Sequence, residues 1–463
     1  MKKFWLLIAV LLCFPFTITA YGEEYIMKYK KSFYEKVINA EYAYIKSLVL
    51  PNGAVGYGFP AVDSSFNVSS LPTVDGIEPE EYTIWKCTRV VPYFSAFAVL
   101  GVMETDKEDA QDIALGYINW YTSHMNTKES DVNGVAGTVY DYYVFVSPDE
   151  KQTVEVTYMD IYGDKSRNYD STDSYASTFI QILCAYTEKY DSTFLDDKKD
   201  LLDTLTSVIN ATYCTKPSLT GAKPDYMVCY LMDNCEVYGA YRDLAKLFPE
   251  YKAEADKFRD AINSSLSADG YYYPAVFENG KAAYEITDIN NFEYYPHATS
   301  QLFPITFGIV DGDSDTAKRQ YELFNSLYGQ KGVSGRDWTA VDCGDAYPWA
   351  LNLRAAVIMK DYERAERYVR DVYTRFIMTG HTSNYYCAEA GHILIALTQL
   401  CKDAYDDEDA SQTVSDVVSD TSTPVTANKD NSALKKALPF IALGVLAAVG
   451  VVAAVLIIKN KKK

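Results

Sequence analysis

The chain has 463 residues and a net charge of −20, with 63 acidic side chains against 43 Lys and Arg. That balance argues against nucleic acid as a partner, because a polyanion is repelled by such a field. Four His and nine scattered Cys with no C-x-x-C pair exclude a structural zinc site, and a chain of this length builds its own core without a disulfide framework, so mostly free, buried thiols are expected.

The chain opens with Lys2 and Lys3, an apolar run over 4–16 and a small-residue stretch ending at Ala20. This pattern marks residues 1–20 as a secretory signal peptide. Residues 23–47 repeat apolar and aromatic side chains at helical spacing and predict a first helix. A second covers 80–102, with a kink or break at Pro92, and a third covers 107–126. Residues 137–163 alternate and are rich in Val, Thr and Tyr, which predicts a β-hairpin turning at 147–151.

The stretch YDSTDSYAST (169–178) then opens a fourth helix. Asp170 or Ser171 can cap it, and Asp173 falls in its first turn, near the positive end of the helix dipole. Further helices are predicted over 196–213, 225–248, 250–266, 294–309, 315–329, 346–359, 361–377 and 384–401. The one over 294–309 breaks near Pro304, and a short extended piece, read as a second hairpin, covers 270–285. Two kinds of helix alternate. Odd-numbered ones such as 250–266 carry many charges and narrow apolar stripes, whereas even-numbered ones are apolar or aromatic nearly all round. Outer and inner helices joined in sequence predict a closed ring of six helical hairpins.

Residues 404–434 are rich in Asp, Ser and Thr and read as a disordered acidic stalk. Residues 437–458 carry no charge and are long enough to span a bilayer, and the basic tail 459–463 predicts a cytoplasmic end. The expected layout is an ectodomain over 24–403 outside the cell, on a single-pass protein of the cell membrane.

The helix alternation, together with YDSTDSYAST, MDNCEVYGAYRDLAKLF (232–248), YYPHATSQLFPI (294–305) and YYCAEAGHILIAL (385–397), resembles the six-hairpin glycosidase-like superfamily over most of 25–402. The resemblance implies an all-α fold, an (α/α)6 toroid of about twelve helices, here with small β-hairpin insertions and one C-terminal transmembrane helix. It also implies a site in the funnel formed by the loops before the inner helices. No cofactor and no metal are expected.

Glycoside hydrolysis needs two carboxyl groups across the scissile bond, one of them protonated. Asp173 is read as a general base or sugar-orienting carboxylate, with plain helix capping as the competing reading for it and for Asp170. Asp233 and Glu236 interrupt an apolar helix at i and i+3, which suits a general acid of raised pKa. A buried ion pair with Arg242 or Arg89 explains them equally well. Asp345 reaches the funnel or caps a helix, and Glu389 binds substrate or is structural. Trp85, Trp338 and Trp349 stand at or near predicted inner-helix starts, for stacking on sugar rings or for packing. Tyr140 is assigned to the funnel rim, and His297 is a substrate ligand or a helix-start filler. The expected function is a cell-surface glycoside hydrolase, of the inverting kind, acting on an extracellular glycan. A toroid polysaccharide lyase using Asn234, His297 and tyrosines is one alternative, and a non-catalytic carbohydrate-binding surface protein is the other.

Overall fold

Charge and apolar patterning sort twelve helices into two layers. In the computed structural model, which describes residues 27–58, 68–268, 270–345, 347–382 and 384–405, these are α1 (Lys31–Ser47), α2 (Pro92–Glu104), α3 (Ala110–Ser123), α4 (Thr172–Lys189), α5 (Lys199–Asn210) and α6 (Leu231–Leu247). They continue with α7 (Lys252–Ser265), α8 (Phe303–Thr306), α9 (Asp315–Tyr328), α10 (Leu351–Ile358), α11 (Tyr362–Val372) and α12 (Cys387–Tyr405). The outer helix α11 buries Ala365, Tyr368, Val369 and Val372, an i, i+3, i+4, i+7 stripe, and leaves Glu363 and Arg370 in solvent. The inner helix α4 is buried at every position from residue 172 to 184.

The even-numbered helices close a ring: α12 packs on α2, α2 on α4, α4 on α6, α6 on α8, α8 on α10 and α10 on α12. Outside it, α1 lies against α12, α3 against α2 and α4, α5 against α4, α7 against α6 and α11 against α10. Outer α9 packs on irregular turns over 294–301 that precede α8, so the expected break in that segment falls before Pro304. The α2–α12 seam depends on two glycines. A Cβ on Gly101 would strike the backbone of Gly391, and one on Gly391 would strike the backbone of Phe97.

Residues 80–102 do not form one helix. A turn of helix at Pro79–Tyr82 leads into strand β1 (Lys86–Val90), and α2 begins at Pro92, where a residue without an N–H costs no hydrogen bond. The predicted hairpin forms from β2 (Tyr142–Val146) and β3 (Thr153–Thr157), and β1 joins β2 antiparallel to make a three-stranded sheet. Glu155 of β3 ties this sheet to the ring by accepting from Trp120 Nε1 (2.8 Å) and Asn52 Nδ2 (2.7 Å) and pairing with His124. Residues 270–285 turn back on themselves through an antiparallel bridge between Val276 and Ala282, and Ala275–Phe277 also pairs with Val228–Tyr230. None of the eight described cysteines is joined to another described cysteine by a disulfide.

The expected C-terminal transmembrane helix is corrected to what the structure shows: no helix among the described residues is long and apolar enough to cross a membrane. Residues 437–458 lie outside the described residues, as do 1–20, 406–434 and 459–463. Residues 404 and 405, assigned to the stalk, instead end α12.

Candidate active site

All six inner helices start at the same end of the ring, and residues at or just before their first turns enclose a cavity of about 670 Å³. Tyr93 and Phe94 come from α2, Asp170, Ser171, Ser174 and Tyr175 from the start of α4, and Met232 and Asp233 from α6. Tyr295 and Phe303 come from the α8 segment, Asp345, Tyr347, Trp349 and Leu351 from the start of α10, and Tyr386, Ala388, Glu389 and His392 from α12. Helix N-termini carry partial positive charge and unpaired N–H groups, which suits them to hold carboxylates. In ring order, α6 stands three places from α12, and α4 three places from α10. Asp233 is therefore across the cavity from Glu389, and Asp170 is across from Asp345.

These carboxyl groups differ in environment. Glu389 Oε2 accepts the Ala350 N–H at 2.6 Å. Burial pushes its pKa up to about 7, against the pull of the Ala350 and Trp349 N–H groups and with a further push from the charge of Asp345. Asp233 is only 4 % exposed. Burial, then the charges of Asp173 and Glu236, hold it well above the ordinary carboxylate range. Asp345 Oδ2 accepts the Trp349 indole N–H at 2.8 Å. Trp349 itself adopts a left-handed backbone, φ +54°, and its ring lies 5.0 Å from that of Tyr295. A left-handed tryptophan is strained, and strain of this kind gathers where a side chain must be aimed. Asp170 is exposed on the cavity wall.

Asp173 and Glu236 stand behind the wall and do not line the cavity. Asp173 is fully buried; its Oδ1 accepts from Ser171 Oγ (2.7 Å) and the Ser174 N–H (2.8 Å). Burial pushes its pKa up to about 6. Ser171 occupies the N-cap position of α4, yet its side chain caps nothing, because the hydroxyl reaches Asp173 and, at 2.8 Å, Asp233. Glu236 takes the hydroxyls of Tyr93 (2.8 Å) and Ser174, and burial pushes it up to about 8. The ion pairs considered for Asp233 and Glu236 are not made. Arg242 binds Asp243 and the Phe307 carbonyl, and Arg89 binds Asp141 at 2.6 Å.

Of the other predicted site residues, Trp349 and Glu389 line the cavity and four do not. Trp85 packs against the separate apolar cluster around Tyr82 and Phe145. Tyr140 lies one layer behind the wall, where its hydroxyl accepts the Val132 N–H and donates to the Ser130 carbonyl. Trp338 is a core residue, 1 % exposed, donating to Asn325. His297 packs beside Phe292 and Tyr284, with Glu293 4.0 Å away. Asn234, considered for a lyase, is pinned in the core by Thr220 and the Tyr230 carbonyl.

Several cavity residues were not singled out by the sequence. Tyr57, Tyr347 and Tyr386 form an aromatic wall, with ring centroids 4.2 and 4.7 Å apart on either side of Tyr386. Asp141 bridges Arg89 and the Tyr175 hydroxyl (2.8 Å). His392 follows Glu389 by three positions on α12, a spacing that puts both on one face and was legible in YYCAEAGHILIAL. Its Nδ1 lies 3.3 Å from Arg354 Nη1, which can only donate, so the ring hydrogen is assigned to Nε2. Burial and the Arg354 charge keep this imidazole neutral. Among the described residues, no group of three or more His, Cys, Asp or Glu is arranged to hold a metal ion.

No protein-family model matches the chain, and no curated protein matches it. Solved structures do. A glycosidase variant in complex with glucose superposes with a TM-score of 0.52 at 11% identity, over 81% of this chain and 99% of its own. A D-mannose isomerase superposes with a TM-score of 0.52 at 12% identity, over 82% of this chain and 100% of its own. The likeness is one of fold: a closed ring of six helical hairpins, shared with both of these structures.

Proposed function

We propose that the chain hydrolyses a glycosidic bond within the funnel cavity. One observation carries this reading: carboxyl groups on opposite arms of the ring, Asp233 and Glu389, flank an aromatic-lined space. Asp233, whose acid form is favoured by burial and by the charges of Asp173 and Glu236, serves as the general acid to the leaving oxygen. Glu389, pushed up to about 7, is the base that activates a water from the other side once ionised. Asp345, fixed by the Trp349 indole, and exposed Asp170 orient sugar hydroxyls, while Tyr295 and Trp349 offer faces for stacking. A water-activating base opposite the acid corresponds to inversion at the anomeric carbon.

The test is a panel of neutral oligosaccharides with reducing-sugar release and NMR of the first-formed anomer. Asp233→Asn and Glu389→Gln are each expected to lower kcat by about 10²–10⁴-fold. Release at undiminished rate by either variant removes that residue from the reaction, and binding without release by the unaltered protein leaves a carbohydrate-binding role. A second reading, aldose–ketose isomerisation of a free sugar, rests on neutral His392 in the cavity and on the fold shared with a D-mannose isomerase. Proton NMR of single monosaccharides incubated with the protein checks it.

A further inference from the structure

Ser171 Oγ lies 2.7 Å from Asp173 Oδ1 and 2.8 Å from Asp233 Oδ2. A serine hydroxyl has one hydrogen to donate, and an ionised carboxylate only accepts. With both aspartates ionised, one of these two short contacts would join bare oxygens. The geometry closes only when a further proton lies on one of the carboxyls, which then donates to Ser171 while Ser171 donates to the other. A second observation points the same way. Asp173 is fully buried, and its Oδ2 has no hydrogen-bond partner among the described residues, so one oxygen of this carboxyl is shut away from water and donors alike, which favours a proton nearby against the pull of the Ser174 N–H and the Thr220 side chain.

We infer that Asp173, Ser171 and Asp233 form a hydrogen-bonded chain holding one shared proton at the cavity wall, in which Asp173 and Ser171 are positioning residues that keep Asp233 loaded. The inference rests on the reading of Asp233 as the general acid. Only Asp233 and Ser171 of the three line the cavity, so the proton is delivered there and Asp173 stays sealed behind. Titratable groups from several elements face the chain: the acids Glu236 on α6 and Asp170 ahead of α4, and the un-ionised Tyr93 on α2, Tyr230 and Cys235 at the start of α6, Tyr295 ahead of α8, and the Cys214 and Cys229 thiols on the adjoining strands. Arg354 of α10 is a cation whose field reaches Glu236. When Asp233 gives its proton to the leaving oxygen, the chain keeps the hydroxyl hydrogen alone for two carboxylates. A proton from bulk water, entering through the cavity, restores Asp233 before the next turnover.

The experiment is infrared titration of the full-length protein, following carboxylic-acid carbonyl bands in the unaltered chain and in Asp233→Asn, Asp173→Asn, Ser171→Ala and Ser171→Thr. The band lost in Asp233→Asn is assigned to Asp233. It is expected to persist at pH 7 in the unaltered chain, to titrate lower by roughly one pH unit in Asp173→Asn, where a neighbouring negative charge is gone, to shift in Ser171→Ala, and to be restored in Ser171→Thr. An Asp233 band absent at pH 7, or one unmoved by both Asp173→Asn and Ser171→Ala, overturns the inference. Should Asp173→Asn fail to fold, the Ala and Thr pair at 171 decides alone. The alkaline limb of kcat on a hydrolysed glycan should move with the band. Shifted bands in a protein that hydrolyses nothing sustain the proton chain and defeat the hydrolase reading; hydrolysis with unmoved bands does the reverse.

Discussion

Glu236 is one turn along α6 from Asp233, never meets the cavity, and has its acid form stabilised by burial. Its pKa rises from 4.5 to about 8 on folding, so between those values the folded chain binds a proton the unfolded chain has lost. Stability from this group is complete below about pH 4.5 and drains away as pH climbs through about 8. Thermal midpoints measured between these limits should fall with pH in the unaltered protein and fall less in Glu236→Gln, which keeps an oxygen for Tyr93 or Ser174. Parallel slopes for the two proteins would show that Glu236 is ionised in the fold. At this scale the sequence was a partial guide. It picked out Asp170, Asp173, Asp233, Glu236, Asp345 and Glu389, all at or near the starts of inner helices. It did not separate those on the cavity wall from those behind it, because α4 and α6 are buried on most faces and no apolar stripe marks which side points inward. Trp338 takes the packing alternative, and Tyr140, expected at the funnel rim, sits behind the wall, because a large aromatic near the funnel packs as well as it stacks.

Helix by helix, the alternation of charged and apolar segments made the outer and inner layers legible, since a solvent-facing helix and a ring-lining helix need different side chains. Strand β1 escaped notice. Its pairing partner, β2, is more than fifty residues downstream, and nothing local in Lys86–Val90 announces a cross-strand register with Tyr142–Val146. Equally hidden was the α2–α12 seam, where Gly101 and Gly391 let two backbones touch. Gly391→Ala should force the helices apart and destabilise the chain by roughly 1–3 kcal/mol, the usual range for overpacking, or more because the obstacle is backbone. A fall in the denaturant midpoint at unchanged slope is the expected result. Because Glu389 lies two positions before this glycine, any glycan turnover should drop further than stability alone explains. An alanine variant as stable as the parent would mean that the seam is looser than the close approach implies.

For the molecule as a whole, ring closure makes a site out of residues scattered from Tyr57 to His392, and the chain's acidic balance follows them into the bowl. Asp170, Asp233, Asp345 and Glu389 line it, set against Arg167, Lys223 and an Arg89 already engaged by Asp141. A wall with more carboxyl than cationic groups, on a chain of net charge −20, should disfavour polyanionic glycans at every stage from encounter to seating. Neutral oligosaccharides are therefore expected to be turned over with a higher kcat/KM than uronate-bearing ones of the same length. Added salt should narrow the gap by screening encounter, without closing it, because charges inside the cavity are screened less than those on the surface. Competition assays with matched neutral and uronate oligosaccharides at low and moderate ionic strength measure both effects. Faster turnover of the uronate substrate, with an unsaturated product, would transfer the site to the lyase reading and leave the opposed carboxyl groups without their assigned role.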